Sequence, residues 1–236
     1  LSGQIEPRSA AEVRVARLKP VRVPRSDSPP VIPAPQANLL FHNTLGGFSP
    51  DGREYVITTV PERVTPAPWS NVLANAYFGT VVSESGPSYT WSENAHEFRL
   101  TPWHNDPVTD ASGEAFYIRD EESGRFWSPT PLPCRGVTPY ITRHGFGYSI
   151  FEHSEDGIAS ELCVYVALDA PIKFSVLTVR NESGRPRRLS ATGYVEWVLG
   201  DAREKTAMHV VTELEPSSGA ITARNAYNTE FGAKVA

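Results

Sequence analysis

The chain reads as an all-β protein, a large antiparallel β-sandwich (supersandwich) behind an extended N-terminal segment, and three observations point there. Aromatic residues make up 10% of 236 residues, with 21 prolines and 17 glycines among them, a composition suited to many short strands joined by tight turns. Segments such as ELCVYVAL (Glu161–Leu168) and KFSVLTVRN (Lys173–Asn181) alternate with the two-residue period of strands that bury one face. Between the apolar runs stand DEESG, SEDG, DAP, NESGRP and EPSSG, which are hairpin-type connections. No long amphipathic helix pattern follows the first 36 residues, and a chain of this size can bury the core that two packed sheets require.

Taken in order, residues 1–36 read as a basic, proline-rich linker with six Lys/Arg against three Asp/Glu. A short helix over Ala10–Lys19 is possible, but the prolines from Pro20 to Pro35 remove donors and clash, so it cannot continue. The sandwich domain is expected over 37–236. LLFHNTLGGFSPDGREYVITTV reads as strand, turn, strand, with Gly46–Gly47 supplying positive φ and SPDG a second turn before the β-rich EYVITTV. Strands are then expected in YFGTVVSES, in AFYIRD paired with RFWSP, in YITRHGFGYSIFEHS, IASELCVYVAL, IKFSVLTVRN, LSATGYVEWVL, MHVVTELE and AITARNAY. Each is rich in β-branched or aromatic residues and bounded by turn formers.

Charge and composition exclude several function classes. A net charge of −5 gives no electrostatic reason for a nucleic-acid partner. No apolar run approaches the roughly 20 residues of a membrane helix, and no secretory signal opens the chain. Cys134 and Cys163 lie 29 positions apart without CxxC spacing or a His/Cys cluster, so neither a zinc site nor any other metal site is expected and both read as ordinary thiols. The chain starts at Leu1 without methionine and stops at FGAKVA within a strand-like run, which reads as a piece of a longer polypeptide.

The candidate chemistry concentrates in Leu100–Pro129, LTPWHNDPVTDASGEAFYIRDEESGRFWSP. Its carboxylates (Asp106, Asp110, Glu114, Asp120, Glu121 and Glu122) are numerous enough for an acid/base pair, since a glycosidase uses two such groups about 5–10 Å apart. NDP and DASGE are equally good turn sequences, in which Asp and Asn bond local backbone donors. Trp91, Trp103 and Trp127 with Tyr89 and Tyr117 can stack on sugar rings or fill a sandwich interior. Ser85 and Ser149 lack the GxSxG elbow of a hydrolase nucleophile. Arg143 and His144 stand beside two glycines that permit close approach of a ligand. Arg143 suits a hydroxyl pair, carboxylate or phosphate, or equally an ion pair with a nearby acid.

LGGFSPDGREYVI, the block from TPAPWSNVLANAYFGTVV to RFWSPTPLP, YITRHGFGYSIFEH and VEWVLG, in this order, resemble the N-terminal β-sandwich domain of glycoside hydrolase family 94. That family includes disaccharide phosphorylases and the phosphorylase-like region of cyclic β-1,2-glucan synthases, and the wording of the central block is most similar to the latter. The resemblance runs from about Leu39 to the end. It implies a non-catalytic, carbohydrate-associated domain whose loops form the rim of an active site in a C-terminal (α/α)6 barrel absent from this chain. It also implies a homodimer interface, a β-glucan or disaccharide substrate, no cofactor, and inorganic phosphate as co-substrate of the parent enzyme. No catalytic residue is then expected here. The domain itself is expected to be cytoplasmic, within a parent that is a bacterial inner-membrane protein or a soluble phosphorylase. Arg143 in RHG is expected to help hold the acceptor sugar, with His144, Trp103, Asn105, Asp106 and Glu114 as further substrate-binding candidates. The family's Asn-Gly before LGGF is Asn43-Thr44 here, so no role is assigned to that turn, and the resemblance implies that the sandwich continues with further strands beyond AKVA. An autonomous carbohydrate-binding module and a purely structural dimerisation domain are the alternatives.

Overall fold

The computed structural model describes residues 38–236; the linker reading for residues 1–36 lies outside them. Fourteen strands and one helical turn follow in order: β1 (Gly46–Phe48), β2 (Glu54–Thr59), β3 (Ser70–Ala74), β4 (Phe78–Ser83), β5 (Ser88–Ser92), β6 (Glu114–Asp120), β7 (Phe126–Trp127), β8 (Tyr140–Gly145), β9 (Tyr148–Glu155), β10 (Ile158–Val166), β11 (Lys173–Asn181), β12 (Leu189–Val195), α1 (Arg203–Thr206), β13 (Val210–Leu214) and β14 (Ile221–Asn225). The fold is the expected all-β antiparallel sandwich.

One layer is a six-stranded sheet in the order β1-β2-β8-β9-β10-β11. Its centre is a run of hairpins whose turns need left-handed residues, met by Gly147 (φ 86°) between β8 and β9 and Gly157 (φ 74°) between β9 and β10. The opposing layer is not the second large sheet expected. It consists of β3-β4-β5, β12-β6-β7 and the hairpin β13-β14. The chain changes partners after β12: Glu196 N–H still donates to Gly113 O at 2.7 Å, but Val198 N–H donates to Leu100 O at 2.8 Å. Leu100 N–H in turn reaches Thr90 O at 2.8 Å, so short irregular segments join the smaller sheets into one layer.

Alternation on β10 aims Ile158, Ser160, Leu162, Val164 and Val166 inward. Leu162, Val164 and Val166, with Phe151 of β9, meet Leu73, Phe78 and Val82 of the β3-β5 sheet. Phe98 stacks on Phe231 at 4.5 Å to close that core at one end. A second cluster joins Ile118, Trp127 and Ile158 between the β6-β7 hairpin and β10. At the end of the sandwich beside the second cluster, Arg187 ties three connections. Its guanidinium donates to Asp120 Oδ2 at 2.5 Å and to the Asp156 backbone oxygen at 2.8 Å and carboxylate at 3.0 Å.

Gly46–Gly47 departs from expectation. The pair lies within β1 rather than in a turn, and its lack of side chains is a matter of space. A Cβ at Gly46 would stand 2.5 Å from Val56 O and one at Gly47 2.8 Å from Leu40 O. Positive φ is found instead at Phe41 (φ 53°) and Thr44 (φ 76°) in the turn before β1 and at Gly52 (φ 69°) in SPDG. The strands β3 (SNVLA) and β5 (SYTWS) were not expected, because three of the five positions in each are small or polar and only two large side chains mark each strand.

Candidate functional site

On the outward face of the β3-β5 sheet, register brings residues into rows: Val72, Val81 and Tyr89 form one, Ala74, Gly79 and Trp91 the next. Gly79 is bare so that the Trp91 indole can lie across β4; a Cβ there would be 2.3 Å from its Cζ2. Tyr89 stands 5.4 Å from Trp91 and 4.8 Å from Trp103, ring centre to ring centre. Trp103 comes from the loop after Pro102 and remains 45% exposed. Between this loop and the sheet face opens a cleft of about 280 Å³, lined among others by Ser70, Tyr89, Trp103, Asn105, Asp106 and Asp110.

Two aspartates shape the loop. Asp106 folds back on its own turn, its carboxylate accepting from the Thr109 hydroxyl at 2.7 Å, Val108 N–H at 2.9 Å and Thr109 N–H at 3.3 Å. These bonds, the hydroxyl's first, hold its carboxyl below the ordinary value. Asp110 adopts a left-handed backbone (φ 43°) and accepts from Ser83 Oγ at 2.6 Å, which clamps the loop to β4. Burial pushes the Asp110 carboxyl up against that bond. The cleft thus combines an aromatic wall with carboxylate, amide and imidazole groups, His104 being the last, a chemistry that can hold a small polyhydroxylated ligand.

The other expected site residues lie elsewhere. Glu114 is buried between the layers, paired with Lys173 Nζ at 2.6 Å and accepting from the hydroxyls of Thr90 at 2.6 Å and Thr101 at 2.7 Å. Burial raises its carboxyl, but Lys173 and the two hydroxyls together outweigh that, and the net direction is downward. Arg143 and His144 are neighbours on β8 and therefore point to opposite faces of the sheet. Arg143 lies outward, half-buried, with Glu152 Oε1 at 2.8 Å and Glu54 Oε2 at 3.3 Å. His144 points inward and crosses to the other layer: Nε2 lies 3.0 Å from Trp69 O, so it carries the proton, and Nδ1 accepts from Ser149 Oγ at 2.9 Å. Burial lowers its basicity. The Ser149–His144 contact is no nucleophilic dyad, because Ser149 is fully buried. Asn71 completes this tie, donating to the backbone oxygens of Gly145 and Tyr148, both at 3.0 Å.

Of the aromatic candidates, Trp127 is core and Tyr117 packs edge-on to Phe126 at 6.4 Å; Tyr89, Trp91 and Trp103 converge. Sequence reasoning missed Ser70, Gly79, Val81 and Ser83, whose roles depend on β3 and β4 being paired; the alternation in SYTWS was the available signal. A larger groove of about 490 Å³ crosses the outer face of β8–β11 past Ile141, Glu152, Glu161 and Thr178. It has no aromatic ring other than His153 in its lining, and the smaller cleft is the better match for a ligand that needs stacking. Among the described residues no cluster of His, Cys, Asp and Glu fits a metal ion, and no helix is long and apolar enough to cross a membrane.

Comparison with known proteins places this geometry in a family. Residues 53–236 match the profile described as glycosyl hydrolase 94, supersandwich domain. The cyclic beta-(1,2)-glucan synthase NdvB of Rhizobium meliloti (strain 1021) is 40% identical over 200 residues, covering 84% of this chain and 7% of that protein. The N,N'-diacetylchitobiose phosphorylase of Vibrio furnissii is 31% identical over 192 residues, 78% of this chain and 24% of its own length. The solabiose phosphorylase of Paenibacillus borealis is 30% identical over 161 residues, 65% of this chain and 20% of that enzyme. The chain therefore spans less than a quarter of the length of these curated relatives. With its antiparallel sandwich and this match over most of its length, the chain belongs to the glycosyl hydrolase 94 supersandwich family.

Proposed function

We propose that this chain is a non-catalytic, carbohydrate-associated domain of a larger glucan phosphorylase or cyclic β-1,2-glucan synthase, and that the Trp103 cleft contributes the substrate rim. The observation that carries this reading is an exposed tryptophan held against Tyr89 beside Asn105, Asp106 and Asp110. Aromatic planes stack on the C–H faces of sugar rings while amide and carboxylate oxygens take their hydroxyls. Relatives named as a glucan synthase and as disaccharide phosphorylases support a sugar ligand. The absence of catalysis in this chain is supported by what its carboxylates do: Glu114 is spent on Lys173, Asp120 on Arg187 and Asp106 on its own turn.

The chemistry, with inorganic phosphate as co-substrate, belongs to a helical barrel elsewhere in the parent polypeptide. Contacts with the barrel and with a second copy are assigned to apolar side chains left open: Phe174 and Val176 on the outer face of β11, and the cross-strand pair Leu214 and Ile221 at the end of the β13-β14 hairpin. Arg143, on the outer face of the six-stranded sheet and so on the opposite side of the sandwich from the Trp103 cleft, takes no part in that rim; its guanidinium is held by Glu152 and Glu54. His144 acts indirectly, by holding the Trp69 carbonyl next to the cleft-lining Pro68 and Ser70.

NMR titration of the chain with cellobiose and β-1,2-linked glucobiose, with and without phosphate, tests the cleft. The expected result is saturable perturbation of the Tyr89 and 102–111 amides with a Kd of about 1 mM, suited to an open site, its loss in Trp103→Ala, and no release of sugar phosphate. Absence of any perturbation would leave a purely structural domain. Release of sugar phosphate would sink the non-catalytic reading.

A further inference from the structure

Resting on the cleft as a sugar site, we propose that binding does not stop there: Trp103, Tyr89 and Trp91 form one elongated strip on the outward face of β3-β5 that takes the chain of a glucan rather than a disaccharide alone. The three rings follow one another at 4.8 and 5.4 Å, running from the loop onto the sheet, with successive planes inclined by 54° and 34°, so the strip is stepped and curved rather than flat. Trp91 lies over the bare backbone of Gly79, so the strip has no side chain standing up from β4 beneath the indole. Val72, 60% exposed, flanks it on β3. At the far end Arg99 lies opposite Trp91 in an isolated bridge, its guanidinium anchored on the backbone oxygens of Asp201 at 2.9 Å and Ala95 at 3.3 Å.

Cross-strand packing accounts for aromatic residues pairing on a sheet face. It does not account for Trp103, which joins the row from outside the sheet and keeps almost half its surface open. Consecutive aromatic planes with polar groups at both ends match a ligand of consecutive pyranose rings, each presenting an apolar face and equatorial hydroxyls. A single disaccharide in the cleft would reach Trp103 and Tyr89 and leave Trp91 unused.

Calorimetry of the chain with linear β-1,2-linked gluco-oligosaccharides of increasing length reads this directly. Pentasaccharide is expected to bind about tenfold tighter than disaccharide, the worth of one added stacking contact. Trp91→Ala is expected to reduce the pentasaccharide to the disaccharide value and leave the disaccharide within about twofold. Trp91→Tyr, which keeps a ring and guards against an effect of misfolding, should retain most of the increment. Equal affinity at both lengths, or an increment untouched in Trp91→Ala, overturns the strip. If that flat profile comes with disaccharide binding that Trp103→Ala abolishes, the cleft reading survives alone; no binding at either length removes both.

Discussion

Substituting Arg187 with methionine is expected to destabilise the fold by about 3–5 kcal/mol, because it leaves a buried carboxylate without its counter-ion. Arg187 and Asp120 side chains are each only 1% exposed, at 2.5 Å. Asp120 also accepts from Glu122 N–H at 2.8 Å and Ser123 N–H at 3.3 Å, capping the β6-β7 turn. Arg187 further holds Asp156 of the β9-β10 turn and itself lies just before β12, so one guanidinium ties both layers. Chemical denaturation should show the loss as a lower midpoint at unchanged slope. Loss of less than about 1 kcal/mol would mean that solvent enters the site and that the tie is weak.

The same pair predicts a pH limb. Burial raises the Asp120 carboxyl, but the turn amides and Arg187 outweigh it and bring it from 3.8 down to about 2. A folded value below the unfolded one means the contribution is complete above pH 4 and is lost as pH falls toward 2. The shift corresponds to roughly 2 kcal/mol. In Asp120→Asn this part of the acid limb should be absent, and an unchanged limb would contradict the assignment.

Lys173→Met is expected to cost about 3 kcal/mol for a related reason, with a different remedy. Lys173 Nζ reaches Glu114 at 2.6 Å and the hydroxyls of Thr80 and Ser88, both at 3.1 Å, inside the sandwich. The side chains of Lys173 and Glu114 are 12% and 14% exposed. Without the ammonium, Glu114 keeps two hydroxyl donors and must either stay charged and buried or take a proton. Lys173→Met combined with Glu114→Leu should recover at least half of the loss, because an apolar pair of similar volume removes both desolvation penalties. A double variant no better than the single would show that the threonine and serine hydroxyls, left unpaired, carry the cost instead. Because Glu114 is held below its usual 4.5, its contribution is present above that pH and declines as pH falls.

These ties show where legibility ended. The hairpins β8–β11 were visible in alternation and in turn sequences, because a strand's period and a turn's φ are local properties. Local reasoning also carried the failure at Gly46–Gly47, where two glycines suggest a turn and tertiary crowding is the actual requirement. The opposition of Arg143 and His144 was implicit in the strand period once β8 was drawn. That Glu114 would meet Lys173, 59 positions away, was not. Neither was the meeting of Trp103, Tyr89 and Trp91, since it requires β5 to exist, Gly79 to stand beside Trp91, and the 102–111 loop to be clamped by Asp110 on Ser83.

By itself the sequence determined the all-β class, most strands, their turns and the family resemblance, all of which reside in short-range pattern or contiguous motif. The tertiary structure alone decided which polar residues became internal ties and which aromatic residues formed an open strip. Those outcomes depend on strand register and layer packing, where residues dozens of positions apart compete for the same buried volume, and no local period records which of them wins.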